Sequence, residues 1–211
     1  MQASDLTYHG WEEAQDHATL CLIACGALAH EILAIIEINQ FKHITLRCLP
    51  AILHNTPEDI PNAVEKKIHE ARADGFEHIK LAYADCGTGG TLERLCASYD
   101  VEMIEGAHCY AFFQGVETAA QQDDVTSFFL TDFLARQFDA FVWKPLGLDR
   151  HPDLRDMYFG NYEKLVYLRQ NEALGLTARA KECAQKLGLK FEVRDTGYGE
   201  LSAFVETTAS T

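Results

Sequence analysis

Short apolar runs of strand length alternate with longer amphipathic runs along most of the 211 residues, and this alternation restricts the fold more than any other feature. Residues 19–24 (TLCLIA), 43–49 (HITLRCL), 77–84 (EHIKLAYA) and 101–104 read as strands. Between them, residues 27–38, 61–73 and 91–98 carry helical spacing, with Leu28, Ile32, Ile35 and Ile36 on one side of the first of these. The second half predicts a helix over 126–138, a short extended piece at 141–143, a polar loop at 148–152, a strand over 161–168, a helix over 173–187 stopped by Gly188, and a last strand at 190–194. Such a pattern predicts an α/β protein, a mainly parallel sheet flanked by helices in a Rossmann-like three-layer sandwich. It fits one domain or two packed halves meeting near 110–140, with 207–211 as a frayed tail.

Charge removes several function classes. Thirty-two acidic residues against 18 basic ones give a net charge of −14, which repels phosphate backbones and anionic membrane surfaces. No nucleic-acid or membrane partner is expected, and a small-molecule substrate is. The first eleven residues have neither a basic region nor an apolar core of signal-peptide length, so a cytoplasmic location is expected. Seven cysteines are then expected as thiols, metal ligands or nucleophiles and not as disulfides.

The positions of these thiols matter more than their number. Cys25 follows the first strand, His54 lies just beyond the second, Cys86 follows the third, and His108 and Cys109 follow the fourth. In a parallel sheet those C-terminal ends share one edge, the edge where ligands bind. Three thiolates and an imidazole suit zinc; with an open position they also suit iron or an iron–sulfur cluster. Two other readings stay open: separate small buried side chains, or a catalytic thiol at Cys86 with His54 or His108 as base. Neighbours in extended chain point opposite ways, so only one of His108 and Cys109 is expected to face a common site. Cys21, Cys48, Cys96 and Cys183 fall within elements and read as core.

Residues 85–91 (DCGTGGT) join a strand to a helix N-terminus, where free N–H groups and the helix dipole favour an anion. The loop lacks both the lysine of a phosphate-binding P-loop and the dinucleotide spacing. Thr88, Gly89 and Gly90, with Asn55, are expected to bind the substrate. The later stretch 146–162 is rich in hydrogen-bonding groups. Asp149 and His151, with Arg150, Tyr158 and Asn161, either line the crevice from the other side or staple a long loop.

Taken together, residues 23–29 (IACGALA), 49–57 (LPAILHNTP), 83–90 (YADCGTGG) and 106–110 (GAHCY) resemble the motifs of an uncharacterised prokaryotic family, domain-of-unknown-function family sixteen-thirty-eight. The family's last motif varies around His-Asp-Cys, and here it reads His-Cys-Tyr. The resemblance implies Cys25, His54, Cys86 and either His108 or Cys109 as the metal site. Members often stand beside corrinoid proteins and methylamine or betaine methyltransferases, which implies a role in one-carbon metabolism. The expected function is a thiolate-rich metal centre acting in methyl-group metabolism, with a zinc-dependent methyltransferase as its enzymatic form. The alternatives are a non-catalytic metal- or corrinoid-binding accessory to a methyltransferase partner, and a cysteine-nucleophile enzyme.

Overall fold

Strands β2 (Leu20–Cys25) and β3 (Ile44–Leu49) are buried at every position, as strands covered on both faces of a parallel sheet must be. In the computed structural model of the protein, residues 3–15, 17–115 and 125–207 are described. The chain divides into two compact units, Met1–Phe112 with Glu200–Thr211, and Phe113–Gly199. The expected tail at 207–211 lies outside the described residues except for Thr207, as do residues 116–124 of the expected meeting region near 110–140.

The first unit contains α1 (Ala3–Tyr8), β1 (Trp11–Glu13), β2, α2 (Ala29–Asn39), β3, α3 (Ile60–Ala73), β4 (His78–Ala82), α4 (Thr91–Ser98) and β5 (Glu102–Met103), with α5 (Ala111–Gln114) at its boundary. Its sheet has the order β1-β3-β2-β4-β5. Four strands run parallel, while β1 pairs antiparallel with β3 through Trp11↔Cys48 to Glu13↔Leu46. The sheet is therefore mixed: four of its five strands are parallel, where a mainly parallel sheet was expected, and the antiparallel β1 is the departure. β1 escapes a periodicity search because it is three residues long and two of those three are glutamates. Its Glu12 carboxylate meets the buried Arg47 guanidinium of β3 at 3.1 Å, and Asp74 takes the other side of the same group at 2.6 Å.

The chain passes from β2 to β3 on one side and then crosses back over β2 to β4 on the other. That reversal makes the β2/β4 junction a topological switch point. Gly26 follows β2 immediately: a Cβ there would stand 2.4 Å from the Leu6 carbonyl oxygen and 2.9 Å from that of Leu49. Both obstacles are backbone, so Gly26→Ala is expected to cost about 2–3 kcal/mol in a denaturant melt. A loss below about 0.5 kcal/mol would show that the chain passes this point more loosely than the structure has it.

The second unit carries β6 (Ser127–Leu130), α6 (Asp132–Phe138), α7 (Leu154–Phe159), β7 (Lys164–Arg169), α8 (Thr177–Leu187) and β8 (Lys190–Asp195), with a parallel sheet ordered β6-β7-β8. α9 (Gly199–Glu206) returns to the first unit, where the Lys80 ammonium lies 5.3 Å from the Phe204 ring centre. The core of the second unit gathers Leu130, Phe138, Leu148, Leu165, Tyr167 and Cys183. Two local expectations fail here. Residues 126–138 are a strand followed by a helix, because β6 gains the β7 ladder and Thr131 ends it by capping α6 through the Leu134 N–H at 3.3 Å. Residues 141–143 are not extended: Asp139–Trp143 is a π-helical turn that carries α6 onward, its Asp139 held by Arg179 at 3.0 Å and Lys186 at 3.1 Å.

Among the described residues no helix is long and apolar enough to cross a membrane.

A candidate thiol site at the strand ends

Four chain segments meet at the C-terminal edge of the first unit's sheet. Cys25 is the last residue of β2 and is 8% exposed. Cys86 lies just beyond β4 and is 7% exposed, and its backbone has φ +48°, a left-handed conformation that a residue with a Cβ rarely adopts. Such strain at a strand-to-helix turn costs about 1–2 kcal/mol and is kept where surrounding contacts enforce it. Here they are two backbone hydrogen bonds of 3.0 Å, in which the Asp85 and Cys86 N–H groups donate to the carbonyls of Gly106 and Ala107. The same pair pins the segment carrying His108 and Cys109 alongside Cys86. Gly106 permits this approach, since a Cβ there would stand 2.7 Å from the Phe112 ring.

His54 comes from the 3₁₀ turn Ala51–Asn55 that follows β3. Its ring is open to solvent on one side and faces the Cys86 sulfur with the other. Pro57, two residues further along, lies 3.6 Å from where a Cβ on Gly87 would be, which seats this turn over the Cys86 loop.

The thiols differ sharply in acidity. Cys86 is held down to about 5, first by the hydrogen bond from the Cys109 thiol and then by His54, against the opposing effect of burial. Cys109 is pushed well above its ordinary value by the same contact and by burial, and His54 is raised because its proton is shared with Cys86. Cys25, buried beneath, is pushed up to about 11 by desolvation. The resting arrangement is thus one thiolate, Cys86, accepting from a neutral thiol and an imidazole.

Tyr83 was not singled out by the sequence. It lies one residue beyond β4, is 1% exposed, and its hydroxyl has no hydrogen-bond partner of ordinary geometry. That hydroxyl lies beside the Cys25 sulfur, with Cys86 and Cys109 also near enough to raise its pKa, burial being the largest cause. The available signal was a tyrosine, with its polar tip, at the end of an otherwise apolar strand.

His108 and Cys109 point apart, although residues 107–110 are bends and a turn and not the extended chain expected there. Cys109 turns toward Cys86, whereas His108 is exposed and stacks on Tyr110 with ring centres 5.5 Å apart. The four remaining thiols lie in the core: Cys21, Cys48, Cys96 and Cys183 are buried, and burial raises each of them. Among the described residues no group of three or more His, Cys, Asp or Glu side chains is already disposed so as to hold a metal ion.

The family profile described as "Protein of unknown function (DUF1638)" matches residues 48–205. The chain belongs to this family. The match includes His54, Cys86, His108 and Cys109, while Cys25 lies before its start. No curated protein and no solved structure matches the chain.

In this DUF1638 member the glycine loop is closed upon itself. The Asp85 carboxylate accepts from the Thr88 hydroxyl at 2.8 Å and from the Gly89 and Gly90 N–H groups at 3.2 and 2.7 Å, and these bonds hold its own pKa below the usual range. The donors at Thr88, Gly89 and Gly90 that an anionic substrate would use are thus engaged by a side chain. Asn55 is exposed at the end of the His54 turn. Asp149, Arg150, His151, Tyr158 and Asn161 all belong to the second unit and are exposed there. Their loop is held by backbone, with the Arg150 and His151 N–H groups both donating to the Gly147 carbonyl at 3.1 and 2.8 Å.

Proposed function

We propose that this protein binds a thiophilic metal ion, zinc foremost, through Cys25, Cys86, Cys109 and His54, and acts in one-carbon, methyl-group metabolism. One observation carries the reading: three sulfurs and an imidazole from four separate segments converge at the switch point of a sheet, where a Rossmann-like fold places its ligand. The donor chemistry is that of zinc or another soft ion. The methyl-group assignment draws on the family resemblance and the neighbours its members keep.

Among the described residues these side chains do not surround a common point in the arrangement seen here. A neutral Cys109 thiol gains more by donating to Cys86 than by turning away from it. Binding an ion would take the protons of Cys109 and Cys25 and remove that hydrogen bond. His54, already directed at Cys86, supplies the nitrogen. A bound zinc would lower the pKa of a thiol or amine substrate and present it as a nucleophile for methyl transfer.

A second reading has its own support. Cys86, strained at a strand–turn–helix junction with His54 against its sulfur, has the arrangement of a nucleophile and its base. Metal analysis and an absorption spectrum on anaerobically purified, untagged protein separate the two. The expected result is one colourless zinc per chain, lost in Cys25→Ala, Cys86→Ala and Cys109→Ala and retained in Cys183→Ala. Zinc retained in all three site variants would overturn the metal assignment. Protein free of metal in which one cysteine takes up an alkylating agent stoichiometrically would replace it with the second reading. With zinc bound, consumption of a methyl donor in an assay coupled to a corrinoid protein marks a methyltransferase, and binding without turnover marks an accessory.

A further inference from the structure

The places of the seven thiols in the fold set two of them apart. Cys21 and Cys25 lie in β2, Cys48 in β3, Cys96 in α4 and Cys183 in α8, on backbone fixed by ladders or helical turns. Cys86 and Cys109 alone lie on turns. Those two turns are joined through their backbones: the Cys86 N–H donates to the Ala107 carbonyl at 3.0 Å, and the Asp85 N–H donates to that of Gly106 at 3.0 Å. Cys109 stands two residues past Ala107, and its thiol donates to the Cys86 sulfur. A disulfide brings two sulfurs to about 2.0 Å with Cα atoms about 4.4–6.8 Å apart, so a hydrogen-bonded pair must still close a short gap. Turn backbone can move that far, whereas a strand or helix would first have to break its own hydrogen bonds. Cys109 is half-buried and its neighbour His108 is exposed, which gives a small reagent a way in.

We propose that Cys86 and Cys109 are a redox modification site, a dithiol that closes into a reversible disulfide when a hydroperoxide reaches this edge of the sheet. One sulfur takes an oxygen from the peroxide: the O–O bond breaks, a sulfenic acid forms and water (from an organic peroxide, an alcohol) leaves. The other sulfur then attacks the first, the S–O bond breaks, the S–S bond forms and a second water leaves with the remaining thiol proton. The two sulfurs together lose two electrons and the peroxide gains them. A thiol reductant reverses the change by exchange. The inference goes beyond the metal reading and does not need it. Closure ties residues 106–110 covalently to the Cys86 turn and takes both sulfurs away from any other chemistry at the strand ends. Cys25, at the end of β2, stays outside the pair because its strand is bonded on both sides, to β3 and to β4.

The test exposes the full-length chain, reduced and treated with a chelator, to hydrogen peroxide, then unfolds it in acid and alkylates it with N-ethylmaleimide. Mass spectrometry is expected to show two fewer alkylated cysteines than the seven of the reduced chain, with Cys86 and Cys109 in one disulfide-linked peptide pair. Dithiothreitol should restore all seven. Cys109→Ser is expected to stop at a sulfenic acid on Cys86, which dimedone traps, and Cys25→Ser to close as the wild type does. Seven thiols still free, Cys86 carried to a sulfinic acid beside an unmodified Cys109, or a bond from either one to Cys25 would each overturn the inference. The wild-type peptide map decides this even where a variant fails to fold. A chain that binds zinc but never closes overturns this inference alone, and one that closes but binds no zinc overturns only the metal reading.

Discussion

In metal-free protein at about pH 6, iodoacetamide is expected to modify Cys86 about a hundredfold faster than any of the other six thiols. The argument is arithmetic on thiolate fraction and nucleophilicity. With its pKa held near 5, Cys86 is mostly ionised at that pH, whereas a thiol near 11, such as Cys25, is ionised about once in 10⁵ molecules. Low pKa also weakens the nucleophile, by roughly a factor of 500 over such a span, which leaves a net advantage of about two orders of magnitude. The rate should rise through pH about 5 and then level off. His54→Ala should move that rise upward, because the imidazole is the second hydrogen-bond contributor after Cys109. Mass mapping of the labelled peptides decides the matter, and equal labelling of Cys86 and Cys109 would refute the assignment of Cys86 as the ionised partner. The same shift enters stability. A thiol whose folded pKa is depressed favours the folded state fully above its unfolded value, near 9, and loses that contribution as pH falls through about 5. Over that interval this group makes the protein more stable as pH rises.

Asp132→Ala is expected to destabilise the second unit by about 3–5 kcal/mol. Asp132 is fully buried, accepts the Tyr167 hydroxyl at 2.5 Å and the Asn171 N–H at 2.9 Å, and its own N–H donates to the Gln170 side chain at 2.6 Å. Burial raises its pKa against the pull of those donors. Removing the carboxylate strands a tyrosine hydroxyl and an amide in the interior, each costing more than the bond itself contributes. Asp132→Asn should cost less, since the amide oxygen still accepts from one of them. A guanidinium melt following near-ultraviolet circular dichroism measures the difference, and a loss under about 1 kcal/mol for the alanine variant would mean that the network is not what holds β6, β7 and α6 together.

The residues the sequence marked at the sheet edge are largely those found together there. Cys25 ends a strand and Cys86 and Cys109 each follow one, and parallel strands have their C-terminal ends on one side by construction, so position along the chain already implied a common edge. The core thiols were legible for the same reason, lying inside runs whose period buried them. Periodicity fails where partners override propensity. Ser127–Leu130 is a strand because β7 offers it a ladder, and Trp11–Glu13 is one because β3 and Arg47 do. A window of local sequence contains neither partner.

The sequence by itself determined the α/β class, the strand-end placement of the site thiols and the net charge, because each depends only on local pattern or composition. The tertiary structure decided the strand order that makes β2 and β4 neighbours, and the backbone bonds from Asp85 and Cys86 to residues 106 and 107 that bring Cys109, and not His108, against Cys86. It alone decided that the glycine-loop amides are taken by Asp85 and that the buried Tyr83 hydroxyl lies beside the Cys25 sulfur. These facts depend on contacts between segments distant along the chain, and the free energy that selects them belongs to the packed whole.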